Sequence, residues 1–251
     1  MRLLLLGGVA EANALAALLA ARPEIEATLS LAGRTSAPAA SPLPTRVGGF
    51  GGADGLAACL RAERIDLLVD ATHPFAQNIS RNAAQAAREA GVPLIRLVRP
   101  PWRAAPGDRW LDARDMEEAA RLLGAAPRRV FLAIGRQQLA AFRAAPQHFY
   151  LVRAIEPVEP GLPNCEAILA RGPFSADAEE ALLQAKRIDV VVAKNSGSPA
   201  VAGKLAAARR LKLPVVVVAR PAQADGVATP QDALELILAH AETLARRGVS
   251  T

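Results

Sequence analysis

Short, continuously apolar segments that end in polar or glycine-rich turns constrain the fold of this chain more than any other feature. Such segments are typical of strands that are buried on both faces of a parallel sheet. Stretches with apolar residues three and four positions apart lie between them and predict helices. The alternation predicts an α/β fold with mainly parallel sheets. The predicted strands are Arg2–Leu6, Ala27–Leu31, Leu67–Asp70, Leu94–Val98, Val130–Ile134, Ala167–Leu169, Val190–Ala193 and Val215–Ala219, and the predicted helices are Ala10–Ala21, Asn78–Ala90, Lys204–Leu211 and Asp232–Arg246.

The predicted strands include two similar groups. The strand that ends near Asp70 and the strand that ends near Ala193 are each followed by a polar turn, a helix and a second strand that closes on Arg-Pro, at nearly equal separations. Two βαβ units would give this arrangement. We therefore predict two α/β domains, 1–102 and 103–251, and leave open that the C-terminal helix at about 231–247 packs back on the first.

Ligands of such sheets bind beyond the carboxyl ends of the strands. The turns at these ends are polar or glycine-rich, and most of them precede a helix. We therefore expect them to line an active-site cleft between the two domains. These turns are Gly7–Glu11, Gly33–Ser36, Asp70–Phe75, Gly135–Leu139 and Lys194–Ser198.

Composition narrows the class of protein. Apolar residues make up 51% of the 251 residues and charged residues 22%, which supplies a core and gives no sign of disorder. The apolar runs are much shorter than the roughly 20 residues of a membrane span. No secretory cleavage site follows the first strand, and the two cysteines fit neither a disulfide framework nor a zinc site. We expect a cytoplasmic, metal-free protein without a membrane segment.

The charge balance favours an anionic ligand. Basic residues number 30 against 24 acidic ones, a formal net charge of +6, and only four of the basic residues are lysines. A positive surface field attracts anions. The basic residues are scattered and aromatic residues are only 4% of the chain, so we do not expect nucleic acid to bind.

The first turn and the end of the second strand suggest a nucleotide site. Gly7–Glu11 joins the first strand to the first helix, where glycines let the backbone approach a phosphate and the helix N-terminus offers N–H donors. The alternative is an ordinary tight turn. The second strand leads into Gly33-Arg34-Thr35, and an arginine there accommodates the 2′-phosphate of NADP. The alternative for Arg34 is a solvated loop side chain.

The segment Asp70–Ala76 ends one predicted strand and starts a helix. Helix capping by Asp70 or Thr72 would explain much of it without chemistry. His73 is one of three histidines, and its imidazole could donate to a carbonyl or relay a proton.

Cationic residues follow two strands of the second half. Arg136 offers a planar fork for a carboxylate or phosphate, and its alternative is a loop arginine. Lys194 opens the turn Lys194–Ser198, and Lys204 follows ten residues later. Because so charged a turn follows so apolar a strand, we favour an anion-binding role over a solvated loop.

These segments together resemble a known family. The motifs Leu-Gly-Gly, Ala-Gly-Arg-Thr, Asp-Ala-Thr-His-Pro-Phe-Ala, Arg-Pro-Pro-Trp, Ile-Gly-Arg-Gln and Ala-Lys-Asn-Ser-Gly occur in the order of the precorrin-6A reductases of cobalamin biosynthesis. The resemblance covers nearly the whole chain. Val9 stands where the family usually has threonine or serine, and Ser198 where it usually has glycine.

The resemblance implies two Rossmann-like domains and NADPH-dependent reduction of a double bond in the precorrin-6A macrocycle, giving precorrin-6B. It implies cofactor contacts at Gly7, Gly8, Val9, Glu11, Arg34, Thr35, Asp70 and Thr72. It implies contacts with the polycarboxylate tetrapyrrole at His73, Phe75, Arg136, Gln137, Lys194, Ser196 and Lys204. The proton donor stays open between Lys194, His73 and a bound water. The resemblance also allows transient contact with neighbouring enzymes of the pathway.

Several alternatives stay open at this point. The substrate could carry cobalt and the donor could be NADH, as in a cobalt-precorrin-6A reductase. A two-domain nucleotide-sugar transferase is the rival from another enzyme class, and an NADP-sensing module is the rival without catalysis. The cationic residues Arg136, Lys194 and Lys204 disfavour the sensor, which needs no second anion site.

Overall fold

The computed structural model describes residues 1–33, 40–157, 159–222 and 225–248. The chain forms two compact units. Unit 1 holds Met1–Pro100 and the chain from Pro221 on, and unit 2 is Pro101–Arg220. Each unit contains one parallel sheet with helices packed on it, which confirms the predicted fold class. The predicted cleft concerns the placement of the two domains and stays a prediction.

The elements are numbered in chain order. The strands are β1 Arg2–Leu6, β2 Glu26–Leu31, β3 Thr45–Val47, β4 Leu67–Asp70, β5 Leu94–Arg96, β6 Arg109–Ala113, β7 Arg129–Ala133, β8 Phe149–Ala154, β9 Cys165–Leu169, β10 Val190–Lys194 and β11 Pro214–Val218. The α-helices are α1 Ala10–Ala20, α2 Ala53–Ala62, α3 Gln77–Ala90, α4 Met116–Leu122, α5 Ala176–Ala185, α6 Gly203–Arg210 and α7 Pro230–Gly248. Two 3₁₀ segments cover Arg136–Ala144 and Pro199–Val201.

Unit 1 is built on a five-stranded sheet of order β3-β2-β1-β4-β5, in which all pairs are parallel. Strand β1 is buried on both faces. Leu3 and Leu5 pack in the cluster that includes α1, and Leu4 and Leu6 pack in the cluster that includes α2 and α3. The strand order changes direction between β1 and β4, which is where ligands of such sheets bind.

The last described helix belongs to unit 1. Ala233 and Ile237 of α7 are fully buried in the cluster that also holds Leu15 and Leu19 of α1. Before this helix, Val227 forms a parallel bridge with Leu97, the residue that follows β5.

Unit 2 is built on a six-stranded sheet of order β6-β11-β10-β7-β8-β9, again with parallel pairs throughout. Strands β7 to β11 repeat the winding of β1 to β5, and β6 adds an outer strand. Phe131, Val191 and Val217 lie in its core. The two predicted βαβ groups correspond to β4-α3-β5 in unit 1 and to β10-α6-β11 in unit 2.

Three strands and three α-helices were not predicted: β3, β6, β8, α2, α4 and α5. Strand β3 has only three residues, and none of them is buried. Strand β6 lies at a sheet edge and has one buried residue, so it lacks an apolar run. In β8 the charged Arg153 interrupts the apolar pattern near the end of the strand.

Candidate active site

The turn after β1 brings backbone donors to the carboxyl edge of the unit 1 sheet. The Gly7 N–H donates to the Ser30 carbonyl oxygen of β2 at 3.0 Å, and a Cβ at Gly7 would lie 2.6 Å from Leu29 Cδ1. Gly8 has φ +117°, with no atom near its Cβ position. Val9 is the N-cap of α1, and its apolar side chain makes no capping hydrogen bond. The first-turn N–H groups of α1 are therefore available to an anion.

Glu11, a predicted cofactor contact, forms a buried ion pair with Arg99. One carboxylate oxygen of Glu11 accepts a hydrogen bond from Arg99 Nη1, and the two side chains are 17% and 8% exposed. Burial lowers the pKa of Arg99, and the Glu11 carboxylate opposes this effect. The pair places a neutralised carboxylate in the first turn of α1.

Arg34 and Thr35, the predicted contacts of the adenosine ribose, lie outside the described residues. The glycine before them is described. Gly33 has φ +70°, and a Cβ there would lie 3.2 Å from Val47 Cγ1 of β3. A side chain at this position would therefore be both strained and crowded.

A hydrogen-bonded turn follows β4. The buried Asp70 accepts hydrogen bonds at Oδ1 from the Thr72 N–H at 3.1 Å and from the Thr72 hydroxyl at 2.7 Å. Thr72 Oγ1 also lies 3.3 Å from Ser80 Oγ of α3. Asp70 thus orders the turn between β4 and α3. The capping interpretation was wrong, because α3 begins only at Gln77 and its N-cap residue, Ala76, makes no side-chain cap.

His73 in this turn has a defined orientation. Its Nδ1 accepts a hydrogen bond from the Phe75 N–H at 3.1 Å, and the two rings lie 5.9 Å apart. Because Nδ1 is an acceptor, the neutral imidazole carries its proton on Nε2. The ring therefore presents an N–H donor on its other side.

The carboxyl edge of the unit 2 sheet carries the second group of predicted residues. Arg136 begins the 3₁₀ segment after β7, and its Nη1 lies 3.8 Å from Glu156 Oε2. Gln137 follows it in the same segment. Lys194 ends β10, which pairs with β7, so the chain brings both cations to one edge of one sheet.

The turn after β10 is held from within unit 2. The Asn195 side chain accepts from the Trp102 N–H at 2.7 Å and donates to the Trp102 carbonyl at 3.1 Å. The buried Ser196 donates its N–H to the Lys194 carbonyl at 2.6 Å, and its hydroxyl accepts from the Ser198 N–H at 3.4 Å. These bonds fix the turn in which Lys194 and Ser196 lie.

Lys204, a predicted contact for a substrate carboxylate, is buried. Lys204 is 4% exposed. Its Nζ donates to the Val201 carbonyl and lies 5.0 Å from the ring centroid of Trp102. Burial lowers its pKa to about 8, partly opposed by Glu179 and assisted by Arg153. The predicted contact with a substrate carboxylate stays a prediction.

Beside Lys204 lies a buried ion pair that the sequence did not reveal. Arg153 of β8 donates to both carboxylate oxygens of Glu179 of α5, at 2.5 and 3.1 Å. Its guanidinium lies over the rings of Phe131 and Phe174, at 4.8 and 3.9 Å from their centroids. Two cations and one carboxylate therefore lie together within unit 2.

Arg99 and Arg220 were also missed as functional candidates. Each stands in an Arg-Pro pair after the second strand of a predicted βαβ group. Arg99 pairs with Glu11, and Arg220 Nε donates to the Asn195 carbonyl at 3.2 Å. The repeated Arg-Pro pair could have identified both arginines. Each contacts a segment at the carboxyl edge of its sheet: Arg99 contacts the first turn of α1, and Arg220 contacts the turn after β10.

No metal centre or membrane segment is evident in the described part of the chain. Its His, Cys, Asp and Glu residues form no cluster of three or more that could hold a metal ion. None of the helices in that part combines the length and apolar character needed to cross a membrane.

Comparison with known proteins decides the family. The family model for the precorrin-6x reductases CbiJ/CobK matches residues 2–238. The chain belongs to the precorrin-6x reductase family. It is therefore an enzyme of this reductase kind, as the sequence motifs implied.

Relatives of the family match over most of their length. A precorrin-6A reductase of Sinorhizobium is 53% identical over 240 residues, which cover 94% of this chain and 92% of the relative. One of Rhodococcus erythropolis is 48% identical, covering 98% and 99%. A cobalt-precorrin-6A reductase of Salmonella typhimurium is 31% identical, covering 76% and 75%. The solved structure of a CobK precorrin-6A reductase superposes with a TM-score of 0.91 at 48% identity, covering 96% and 97%.

Proposed function

We propose that this chain reduces precorrin-6A with NADPH to precorrin-6B (dihydroprecorrin-6A) in cobalamin biosynthesis. The observation that carries the proposal is membership of the precorrin-6x reductase family over residues 2–238. The relatives named precorrin-6A reductase are 46–53% identical to it, whereas those named cobalt-precorrin-6A reductase are 30–31% identical. This difference favours the metal-free macrocycle as substrate.

Unit 1 fits a dinucleotide. Gly7 and Gly8 leave no side chain between the backbone and a pyrophosphate, and the uncapped N-terminus of α1 supplies donors. We propose that Gly7, Gly8, Val9 and Glu11 hold the pyrophosphate end through their backbone N–H groups, with the Glu11 carboxylate neutralised by Arg99. Arg34 and Thr35 would meet the phosphorylated ribose, and Asp70 and Thr72 would order the turn at the nicotinamide end.

The bound cofactor would supply a hydride to one carbon of the conjugated macrocycle. The chain's own residues must then bind the macrocycle and deliver a proton to the neighbouring carbon. His73, in the turn that Asp70 orders, is one candidate proton source when its imidazole is in the cationic form. Lys194 offers an ammonium group at the end of β10, and a bound water is the third source. Phe75 lies against His73 and would limit the movement of its ring.

Unit 2 supplies cations for the carboxylates of the macrocycle. We propose that Arg136, Gln137, Lys194 and Ser196, at the carboxyl edge of its sheet, bind the acetate and propionate groups. Lys204 adds positive charge from within the unit. We also propose that the enzyme acts in the cytoplasm and makes transient contact with neighbouring enzymes of the pathway.

Anaerobic incubation with precorrin-6A and NADPH tests the proposal. We expect loss of nicotinamide absorbance, matched one for one by a change in the tetrapyrrole spectrum. Parallel reactions with NADH and with cobalt-precorrin-6A identify the donor and the metal state of the substrate. Absence of any spectral change with every pair of donor and tetrapyrrole would contradict the proposal.

A further inference from the structure

Arg46 of β3 is held in one orientation by neutral groups. Its Nη1 donates to Ser30 Oγ at 3.0 Å and to the Gly48 carbonyl at 3.4 Å. Its guanidinium lies 3.9 Å from the ring centroid of Phe50. Arg46 and Ser30 are register partners on neighbouring strands, and Ser30 is buried. The side chain has therefore lost most of its rotational freedom before any ligand binds.

This orientation leaves the charge of Arg46 unneutralised. No carboxylate of the described residues forms an ion pair with it, whereas Arg99, Arg153 and Arg209 are each paired with one. Both of these hydrogen bonds use Nη1, so Nε and Nη2 remain as donors on the same planar group. A guanidinium that is fixed but not neutralised is suited to bind an oxyanion through two parallel hydrogen bonds.

Arg46 is linked to the first turn through Ser30. Ser30 joins the two places, because its carbonyl accepts from the Gly7 N–H and its hydroxyl accepts from Arg46. Leu6 and Arg46 are both register partners of Ser30, so they are two strand spacings apart, about 10 Å. A dinucleotide whose pyrophosphate lies at Gly7 extends its adenosine over the ends of β2 and β3.

The segment after β3 leaves room beside Arg46. Among the residues that the structure describes, none places an atom within 4 Å of the Cβ positions of Gly48, Gly49, Gly51 and Gly52. Side chains are therefore absent from the segment that follows the guanidinium, apart from Phe50 beneath it. This space is open to a ribose phosphate.

We infer that Arg46 binds the 2′-phosphate of the adenosine ribose and so selects the phosphorylated dinucleotide. This inference rests on the proposed function. It assigns cofactor specificity to a strand residue, in addition to the predicted turn at Arg34.

Binding of nucleotide fragments to the full-length chain without substrate tests the inference. Calorimetric titration compares adenosine 2′,5′-bisphosphate, which carries the 2′-phosphate, with 5′-AMP, which lacks it. In Arg46→Gln we expect the affinity for the bisphosphate to fall tenfold to a hundredfold, roughly the value of a charge-assisted hydrogen bond. The affinity for 5′-AMP should change less than about threefold. Arg61→Gln on α2 is the matched control, since Arg61 is an exposed arginine that donates to the Glu89 carbonyl.

The titrations distinguish recognition of the 2′-phosphate by Arg46 from a packing role. Equal loss of both fragments in Arg46→Gln would make Arg46 a packing residue and overturn the inference while the proposed function stands. If the unaltered chain binds neither fragment nor NADPH, both the inference and the NADPH proposal fail. Ser30→Ala removes only the hydroxyl that orients Arg46, so it provides a milder variant if Arg46→Gln does not fold. It should reduce the preference for the bisphosphate, and an unchanged preference would count against the inference.

Discussion

At the scale of single residues, charge pairs decide what the helix termini can bind. Glu11 lies in the first turn of α1, where a negative charge opposes the binding of an anionic ligand. The Arg99 guanidinium neutralises that carboxylate inside unit 1. Arg99 therefore acts on the proposed pyrophosphate site through Glu11, as a positioning and neutralising residue.

We predict that Arg99→Gln weakens NADPH binding about tenfold, because Glu11 is then left unpaired beside the proposed pyrophosphate site. The double variant Arg99→Gln with Glu11→Gln removes both charges and should recover most of the affinity. Fluorescence titration of NADPH measures the effect. A double variant as weak as the single one would show that Arg99 acts by some means other than neutralising Glu11.

Contacts between side chains that are distant in the sequence could not be predicted from the sequence. The turns at Gly7–Gly8 and at Asp70–Thr72 were predictable because they follow from local chain geometry. The pairing of Arg99 with Glu11 joins residues 88 positions apart, and the burial of Lys204 depends on Trp102 from a distant segment. No local pattern encodes such contacts, since they arise only when the sheets and helices have packed.

At the scale of elements, buried faces account for which helices and strands could be predicted. Strand β1 was predicted at Arg2–Leu6 and lies there, because four of its five residues are buried. Strand β3 was missed, although it carries Arg46, because the edge of a sheet needs no apolar run. The sequence therefore reveals the central strands better than the edges that carry functional side chains.

Helix α7 offers an internal comparison of a buried and an exposed side chain. We predict that Ile237→Ala lowers the free energy of unfolding by about 2–5 kcal/mol, because Ile237 is fully buried against α1. Its neighbour Leu236 is 47% exposed, and Leu236→Ala should change stability by less than about 1 kcal/mol. Urea unfolding measures both. Similar losses in the two variants would contradict the packing of α7 described above.

The buried ion pair of unit 2 joins β8 to α5. We predict that Glu179→Gln costs about 3–5 kcal/mol, because it leaves the Arg153 guanidinium buried without its carboxylate. Glu180 on the same helix pairs at the surface with Arg210, so Glu180→Gln should cost about 1 kcal/mol or less. Thermal and urea unfolding compare the two variants. Equal effects would mean that the pair contributes no more than a surface ion pair.

At the scale of the whole molecule, stability depends on pH through His148. This residue is fully buried, and its Nδ1 accepts from the Arg128 N–H at 3.2 Å. Burial lowers its pKa below the ordinary value of 6.5. Below pH 6.5 the unfolded chain therefore binds more protons at His148 than the folded chain, and the free energy of unfolding falls as the pH falls.

We predict that this loss begins near pH 6.5 and that His148→Gln, which cannot take up a proton, shows a shallower dependence. Urea unfolding at intervals from pH 7.5 to about 5 measures the slope for both proteins. Parallel slopes would assign the pH dependence to other groups.

The division of the chain into units has a consequence for biosynthesis. Unit 1 is assembled from the beginning of the chain and from α7, while unit 2 is one uninterrupted segment. A ribosome releases residues in order, so the sheet with the glycine turn emerges before unit 2 but waits for its covering helix until unit 2 has been synthesised. The proposed nucleotide-binding unit is thus begun before unit 2 and completed after it, whereas unit 2 can finish folding while synthesis continues.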